Sequence, residues 1–234
     1  GRNQVRLPRT DAARALLDRS NMTAALRTAV AQGELRVVYQ PIVDGYDHAP
    51  SGLEALARWH SPEFGEVSPA EFIPLAEGAG LMQQMGEFVL STACAQLAAL
   101  HRAGHPRVSM AVNLSPSQLG QRELPARVLD NLQRHGLDPA CLTLEITESM
   151  LADHVGSSGA VLQELAQLGV RLALDDFGTG YSNLAYLQRI RLHTIKIDRS
   201  FVRDVGSDPV AQAIVRTVIA LAGEMGLHTV AEGV

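Results

Sequence analysis

The stretch Leu142-Thr-Leu-Glu-Ile-Thr147, followed by Ser158–Leu168 and then Arg171-Leu-Ala-Leu174-Asp175-Asp176, decides the fold. Two short runs of aliphatic and β-branched residues flank a segment of helical period, which is the pattern of strand, helix and strand. The second run is almost continuously apolar, as expected of a strand whose sheet is covered by helices. Such a unit predicts parallel strands joined by a right-handed crossover.

Outward from this unit the pattern repeats. Leu35–Val43, Gly52–Trp59, Arg107–Leu114, Thr194–Ile197 and His228–Ala231 read as further strands, giving seven in all. Helical period returns in Pro69–Gly78, Leu81–Ala103, Leu124–His135, Asn183–Arg189 and Pro209–Met225. The alternation predicts an α/β fold with a parallel sheet, which an open doubly wound sheet and a barrel both satisfy. Residues 1–20 are basic and then rich in Ala, Leu and Arg, which suits a linker running into a helix. The chain has 234 residues, and one β/α barrel uses roughly 250, so a single large domain is expected.

Composition narrows the partners. With 46% hydrophobic and 19% charged residues and a mean hydropathy of +0.04, the chain has a core to bury. Its net charge of −5 provides no global basic field to draw it to nucleic acid or anionic lipid. An anionic ligand must therefore be held locally. The two cysteines, Cys94 and Cys141, lie in apolar segments and read as small core residues in a reducing compartment. No apolar run reaches the ~20 residues that span a bilayer, and residues 1–20 lack the apolar stretch of a signal peptide, so a cytoplasmic domain is expected. The parent protein could still carry an anchor elsewhere.

The chemistry gathers at strand ends. Glu54, Asn113, Glu145, Asp175 with Asp176, Lys196 and Glu232 each close or follow a strand, mostly one β/α unit apart. Barrel enzymes build their sites on that face, so these groups are expected to converge. A single acid at a strand end is ordinarily a helix cap or a loop charge; five carboxylates, an Asn and a Lys in series are not explained that way. Clustered carboxylates stay ionised together only when cations neutralise them, and an all-oxygen ligand set favours Mg²⁺ or Mn²⁺ over zinc. The one His pair at i, i+4, His101 and His105, lacks a neighbouring acid and reads as a helix C-terminus. Asp175-Asp176-Phe177-Gly178-Thr179-Gly180-Tyr181 fails as a dinucleotide fingerprint, because no third Gly follows. Adjacent Asp residues can instead serve two metal ions and activate water against a phosphodiester.

These residues also sit in an ordered motif series. Tyr39-Gln40-Pro41-Ile42, Glu54-Ala55-Leu56-Ala57-Arg58-Trp59, Ser68-Pro69-Ala70-Glu71-Phe72-Ile73-Pro74-Leu75-Ala76-Glu77, Asn113-Leu114-Ser115, Glu145-Ile146-Thr147-Glu148, Asp175-Asp176-Phe177-Gly178-Thr179-Gly180, Lys196-Ile197-Asp198 and Ala231-Glu232-Gly233-Val234 resemble the EAL-domain cyclic-di-GMP phosphodiesterases. The resemblance runs from about residue 30 to Val234. It implies a TIM-like (β/α)8 barrel whose first strand is antiparallel to the rest, and metal-dependent hydrolysis of cyclic di-GMP to linear pGpG.

By position, the resemblance assigns Glu54, Asn113, Glu145 and Asp175 to one Mg²⁺ or Mn²⁺, and Asp175 with Asp176 to a second. Lys196 would position or polarise the attacking water, with Glu232 ordering the metal and water site and Asp176 close to the chemistry. Gln40, Leu56 and Arg58 fall on the nucleotide side, where Arg58 supplies local positive charge. Glu148 would brace the Asp175–Tyr181 loop. Residues 1–7 resemble the tail of a GGDEF domain, so residues 1–20 are expected to be a linker from an upstream GGDEF partner in the same polypeptide, and residues 21–234 the EAL domain. Seven strands fall one short of eight, so the last strand and helix are expected beyond Val234. A homodimer is expected too, and nucleic acid is not a partner. The competing function is a catalytically silent cyclic-di-GMP receptor or interaction module, which the completeness of the ligand positions argues against. A metal-dependent lyase of the aldolase or enolase type would need its Lys or His base in a different motif context.

Overall fold

A parallel ladder organises the structure. In the computed structural model, which describes residues 10–152, 157–178 and 190–234, the hydrogen-bonded strand order is β1 (Leu35–Val43), β2 (Pro50–Ser61), β4 (Ser109–Asn113), β5 (Leu142–Thr147), β6 (Arg171–Phe177), β7 (Thr194–Ile197) and β8 (His228–Ala231). A short β3 (Gly65–Val67) pairs antiparallel with β2. From β2 to β8 every step along the path is parallel. The connection between the neighbours β1 and β2 is only residues 44–49, closed by Asp44 N–H donating to the Ala49 carbonyl at 2.9 Å. A parallel crossover needs a dozen residues or more, so β1 runs antiparallel to β2.

The helices are α1 (Thr10–Ala29), α2 (Pro69–Gly78), α3 (Met82–Arg102), α4 (Pro116–Leu119), α5 (Leu124–His135), α6 (Glu148–Ala152), α7 (Ser157–Gln167), α8 (Arg199–Val202) and α9 (Pro209–Glu224). The segment expected to lead into a helix is already helical from Thr10. Four short elements that the sequence pattern leaves unmarked, α4, α6, α8 and a 3-10 turn at Pro139–Cys141, are too brief to show a period. The expected helix Asn183–Arg189 lies outside the described residues. No helix among the described residues is long and apolar enough to cross a membrane.

The strands differ from expectation by one addition, β3, and in the bounds of β2, β4 and β6, with β4 spanning Ser109–Asn113 where Arg107–Leu114 was expected. β3 raises the strand count to eight, because three residues carry no alternation to read. β2 runs from Pro50 to Ser61, carried past Trp59 by pairing with β3, and Glu54 lies in its interior and not at its end. β6 continues through Asp175 and Asp176 to Phe177, so both Asp residues belong to the strand and the turn begins only at Gly178.

The chain divides into two units, one comprising residues up to Val38 with Ala57–Phe88, the other Tyr39–Leu56 with Val89–Val234. In the first, Trp59 and Phe72, both fully buried, meet edge-on at 6.2 Å among Leu26, Leu35, Val67 and Met85. The Trp59 indole N–H donates to Glu34 at 3.0 Å, which keeps its one polar atom partnered. In the second unit, Met110, Val112, Leu142, Leu144, Ile146, Leu172, Leu174, Ile195 and Ile197 are buried along the sheet. Each such aliphatic contributes roughly 1.5–3 kcal/mol when withdrawn from water. Helices α7 and α9 pack on this sheet, which makes the strands apolar on both faces and leaves their ends for polar groups.

Candidate active site

Register brings the polar residues together. Asn113 on β4 is paired with Glu145 on β5, and Thr147 with Asp175 on β6. Beyond the last β4 residue, Leu114 N–H donates to the Glu145 carbonyl at 2.9 Å. Ser115 then caps α4 in a reciprocal box with Gln118, fixing the chain directly after Asn113. At the far end, Glu232 N–H donates to the Ile197 carbonyl at 3.1 Å, so the β7–β8 ladder carries on past Ala231 and sets Glu232 beside Lys196. Gly233 follows at φ 73°, where a Cβ would lie 2.7 Å from that of Arg199, a close approach only glycine allows.

Lys196 is the centre of the cluster. Its ammonium, on a side chain 3% exposed, lies 2.8 Å from Glu232 Oε1, 2.9 Å from Glu145 Oε2, 3.2 Å from Asp175 Oδ1 and 3.4 Å from Glu54 Oε2. Asn113 Nδ2 donates to the other Glu54 oxygen at 2.8 Å. Burial alone would lower the Lys196 pKa, but Glu145, Asp175 and Glu54 outweigh it and hold the ammonium charged. Burial pushes the Glu145 carboxyl up to about 8, helped by Glu54 and Asp175 and opposed by Lys196. Glu232 is raised in the same sense, mainly by burial.

The two Asp residues are presented by a bulge. Leu174 pairs with Ile195 and Phe177 with Ile197, so Asp175 and Asp176 together oppose the single residue Lys196. Such an extra residue re-aims its neighbours, and bulges concentrate beside active sites. Asp176 takes the cost, at φ 54°, with its N–H donating to Asp175 Oδ1 at 3.0 Å. Its carboxyl is raised by burial, then by Asp175 and Asp198. The turn that follows is held by Gly178 N–H donating to Glu148 Oε2 at 3.4 Å, at the start of α6.

One oxygen each from Asp175, Asp176 and Glu232 lie within 4.8 Å of one another. Together with Glu54, Glu145 and the Asn113 amide they form a hard, all-oxygen set whose carboxyls resist sharing one another's charge. That chemistry fits a divalent cation.

The expected nucleotide side is less assembled. Gln40 on β1 is exposed and Leu56 on β2 is half-buried. Arg58 falls in the first unit, where its guanidinium donates to the Ala57 carbonyl at 2.8 Å. Asp198 carries no expected role, yet it caps α8 through Ser200 N–H at 3.0 Å and its charge acts on Asp176. Its place directly after Lys196-Ile197 was the available signal. The His101 ring bonds the Val108 carbonyl at 2.8 Å, an engagement with backbone. Cys94 and Cys141 are free thiols, and burial pushes Cys94 up to about 12.

A family model described as EAL domain matches residues 23–234. The chain belongs to the EAL domain family. It is 42% identical to the cyclic di-GMP phosphodiesterase NbdA of Pseudomonas aeruginosa over 91% of this chain and 27% of that protein. It is also 42% identical to the bifunctional diguanylate cyclase/cyclic di-GMP phosphodiesterase MucR of the same organism, over 89% of this chain and 30% of MucR. The EAL chain thus spans less than a third of the length of these relatives. Among solved structures, it superposes on the PaMucR phosphodiesterase in complex with c-di-GMP with a TM-score of 0.87 and 41% identity, covering 92% of this chain and 87% of that one. This match agrees with the TIM-like barrel class that the motif resemblance implies, which the strand and helix series left open beside a doubly wound sheet.

Proposed function

We propose that this EAL domain hydrolyses cyclic di-GMP to linear pGpG, with Mg²⁺ or Mn²⁺ as its metal. The observation that carries the proposal is the convergence of Glu54, Asn113, Glu145, Asp175 and Glu232 around Lys196. Similarity to a phosphodiesterase solved with c-di-GMP supports the substrate. Glu54, Asn113, Glu145 and Asp175 would hold one cation, and Asp175 with Asp176 the second. Bound there, divalent cations neutralise the carboxylates and the phosphodiester and make water a better nucleophile near neutral pH.

The chain's own groups do the rest. In the hydrolysis, a water oxygen bonds to phosphorus, the bond from that phosphorus to the 3′ ester oxygen breaks, and the departing oxygen takes up a proton. Lys196, fixed by the surrounding carboxylates, aims N–H donors at the water; Glu232 holds the Lys196 ammonium in place and helps order that water. Gln40, Leu56 and Arg58 contact the nucleotide, with the Arg58 fork suited to a phosphate. Glu148 keeps the turn after Asp176 from drifting. Similarity to bifunctional MucR supports a GGDEF partner in the same polypeptide, and the free thiols support a reducing, cytoplasmic setting.

Chromatography of cyclic di-GMP incubated with the protein tests the proposal. A linear product is expected with Mg²⁺ or Mn²⁺ and none in excess EDTA. Undiminished turnover in EDTA would remove the metal from the mechanism, and binding without turnover under any metal would leave a receptor instead.

A further inference from the structure

We propose that Lys196 is a built-in counter-cation that competes with the divalent metal for the strand-borne carboxylates, and so sets how much metal the site needs. The inference rests on the reading that a divalent cation binds this cluster. An ammonium has three N–H donors, yet Lys196 Nζ lies within 3.4 Å of four carboxylates. Three of them, from Glu54, Glu145 and Asp175, are oxygens that a cation at the same strand ends draws on. Glu145 is only 2% exposed and bonds Lys196 at 2.9 Å, so no water layer separates the two claims on that carboxylate.

The competition has two parts. A metal must draw the shared lone pairs away from the ammonium, and it must then sit beside a buried positive charge. Both weaken metal binding, and the second does so strongly because the side chain is withdrawn from solvent. In return, the buried carboxylates keep a counter-charge before metal arrives, which limits the penalty of leaving them uncompensated. The ammonium is a compact point charge on a flexible stem, which lets it give ground without moving β7.

The test titrates Mn²⁺ alone, without nucleotide, into chelator-stripped wild type, Lys196→Met and Lys196→Arg, and reads free Mn²⁺ by electron paramagnetic resonance. Lys196→Met is expected to bind Mn²⁺ at least about tenfold more tightly than wild type, and Lys196→Arg to stay within about threefold of wild type. Equal or weaker binding by Lys196→Met overturns the proposal, as does equal tightening in Lys196→Arg, since charge would then not be the cause. Should Lys196→Met not fold, wild type carrying ¹³C-labelled lysine answers the question: the Lys196 ε-carbon signal is expected to shift in step with Mg²⁺ binding, and an unmoved signal at saturation overturns the proposal. Failure of wild type to bind Mn²⁺ at all would sink the hydrolase reading itself, a different result from equal binding by wild type and Lys196→Met.

Discussion

The carboxylates of this domain are held in two ways. Glu54 and Glu145 stand on strands in unbroken register with β4; Glu54 bonds Asn113 and Lys196, and Glu145 bonds Lys196. Asp176 stands on a bulge at positive φ, and the turn beyond it is tied back through one bond of 3.4 Å to Glu148. The ladder positions the first group as a by-product of building the core. The second group sits where the β6–β7 register breaks, and the turn beyond it takes a brace from outside its own strand. The contrast predicts that changes among the strand-borne groups act directly on chemistry, whereas changes around the turn act through geometry.

The largest effect is expected for Glu54→Ala. It removes an oxygen pair that contacts both Asn113 and Lys196, and loss of a metal-contacting carboxylate lowers turnover by at least about 10²-fold. Nucleotide binding should survive in part through Gln40 and Arg58. Near-normal turnover in this variant would remove Glu54 from the metal set and erase the distinction between the two groups.

Glu148→Ala should cost less, about tenfold in turnover, because on the proposed reading Glu148 acts by placing Asp175 and Asp176. Its Oε2 accepts from Gly178 N–H, and its Oε1 is buried without a hydrogen-bond partner among the described residues. The variant should show weakened Mn²⁺ binding together with the slower turnover, and Glu148→Gln should recover part of both. Normal values for both in Glu148→Ala would mean that the turn is held by something other than this bond.

Acidification should act on both groups alike. Glu145, Glu232 and Asp176 all have raised carboxyl pKa values, with burial the leading cause. A cation must displace the protons these groups bind, so metal affinity falls as pH drops, beginning near the Glu145 value of about 8 and not in the ordinary carboxylate range. Mn²⁺ titrations at stepped pH should show progressive weakening from about pH 8 to pH 6. A flat affinity down to about pH 5 would show that the raised groups are not ligands.

How far the sequence could be read follows the same division. Asn113, Glu145, Lys196 and Glu232 were legible because short apolar runs fix where strands end, and parallel strands bring their ends to one side. The bulge was not, since nothing local distinguishes Asp175-Asp176 inside a strand from the same pair in a turn; only the pairing of Leu174 and Phe177 with β7 shows the extra residue. The fourfold sharing of Lys196 was equally invisible, because it depends on five strands meeting. β3 was too short to carry a period. Arg58 was identified by motif alone, and its bond to the Ala57 carbonyl depends on a rotamer, which no pattern of residue types encodes.

The smallest expected effect concerns Gly178, and a second glycine supplies its control. Gly178 has φ 97° and a Cβ there would lie 3.0 Å from Phe201 Cε2, whereas Gly65 has φ 71° with no atom within 4 Å of the added Cβ. Both positions impose the left-handed backbone cost on alanine, about 1 kcal/mol. Only Gly178→Ala also pushes on a neighbour, and that neighbour, an aromatic ring on α8, can yield by a few tenths of an ångström. Urea midpoints should therefore fall for both variants, with Gly178→Ala lower by up to about 1 kcal/mol more. Turnover should fall only in Gly178→Ala, because Gly65 lies on β3, away from Asp176 along the chain and in the other unit. Equal stability losses with unchanged turnover in both would mean that the turn after β6 tolerates displacement, and that Asp176 is held by its own strand after all.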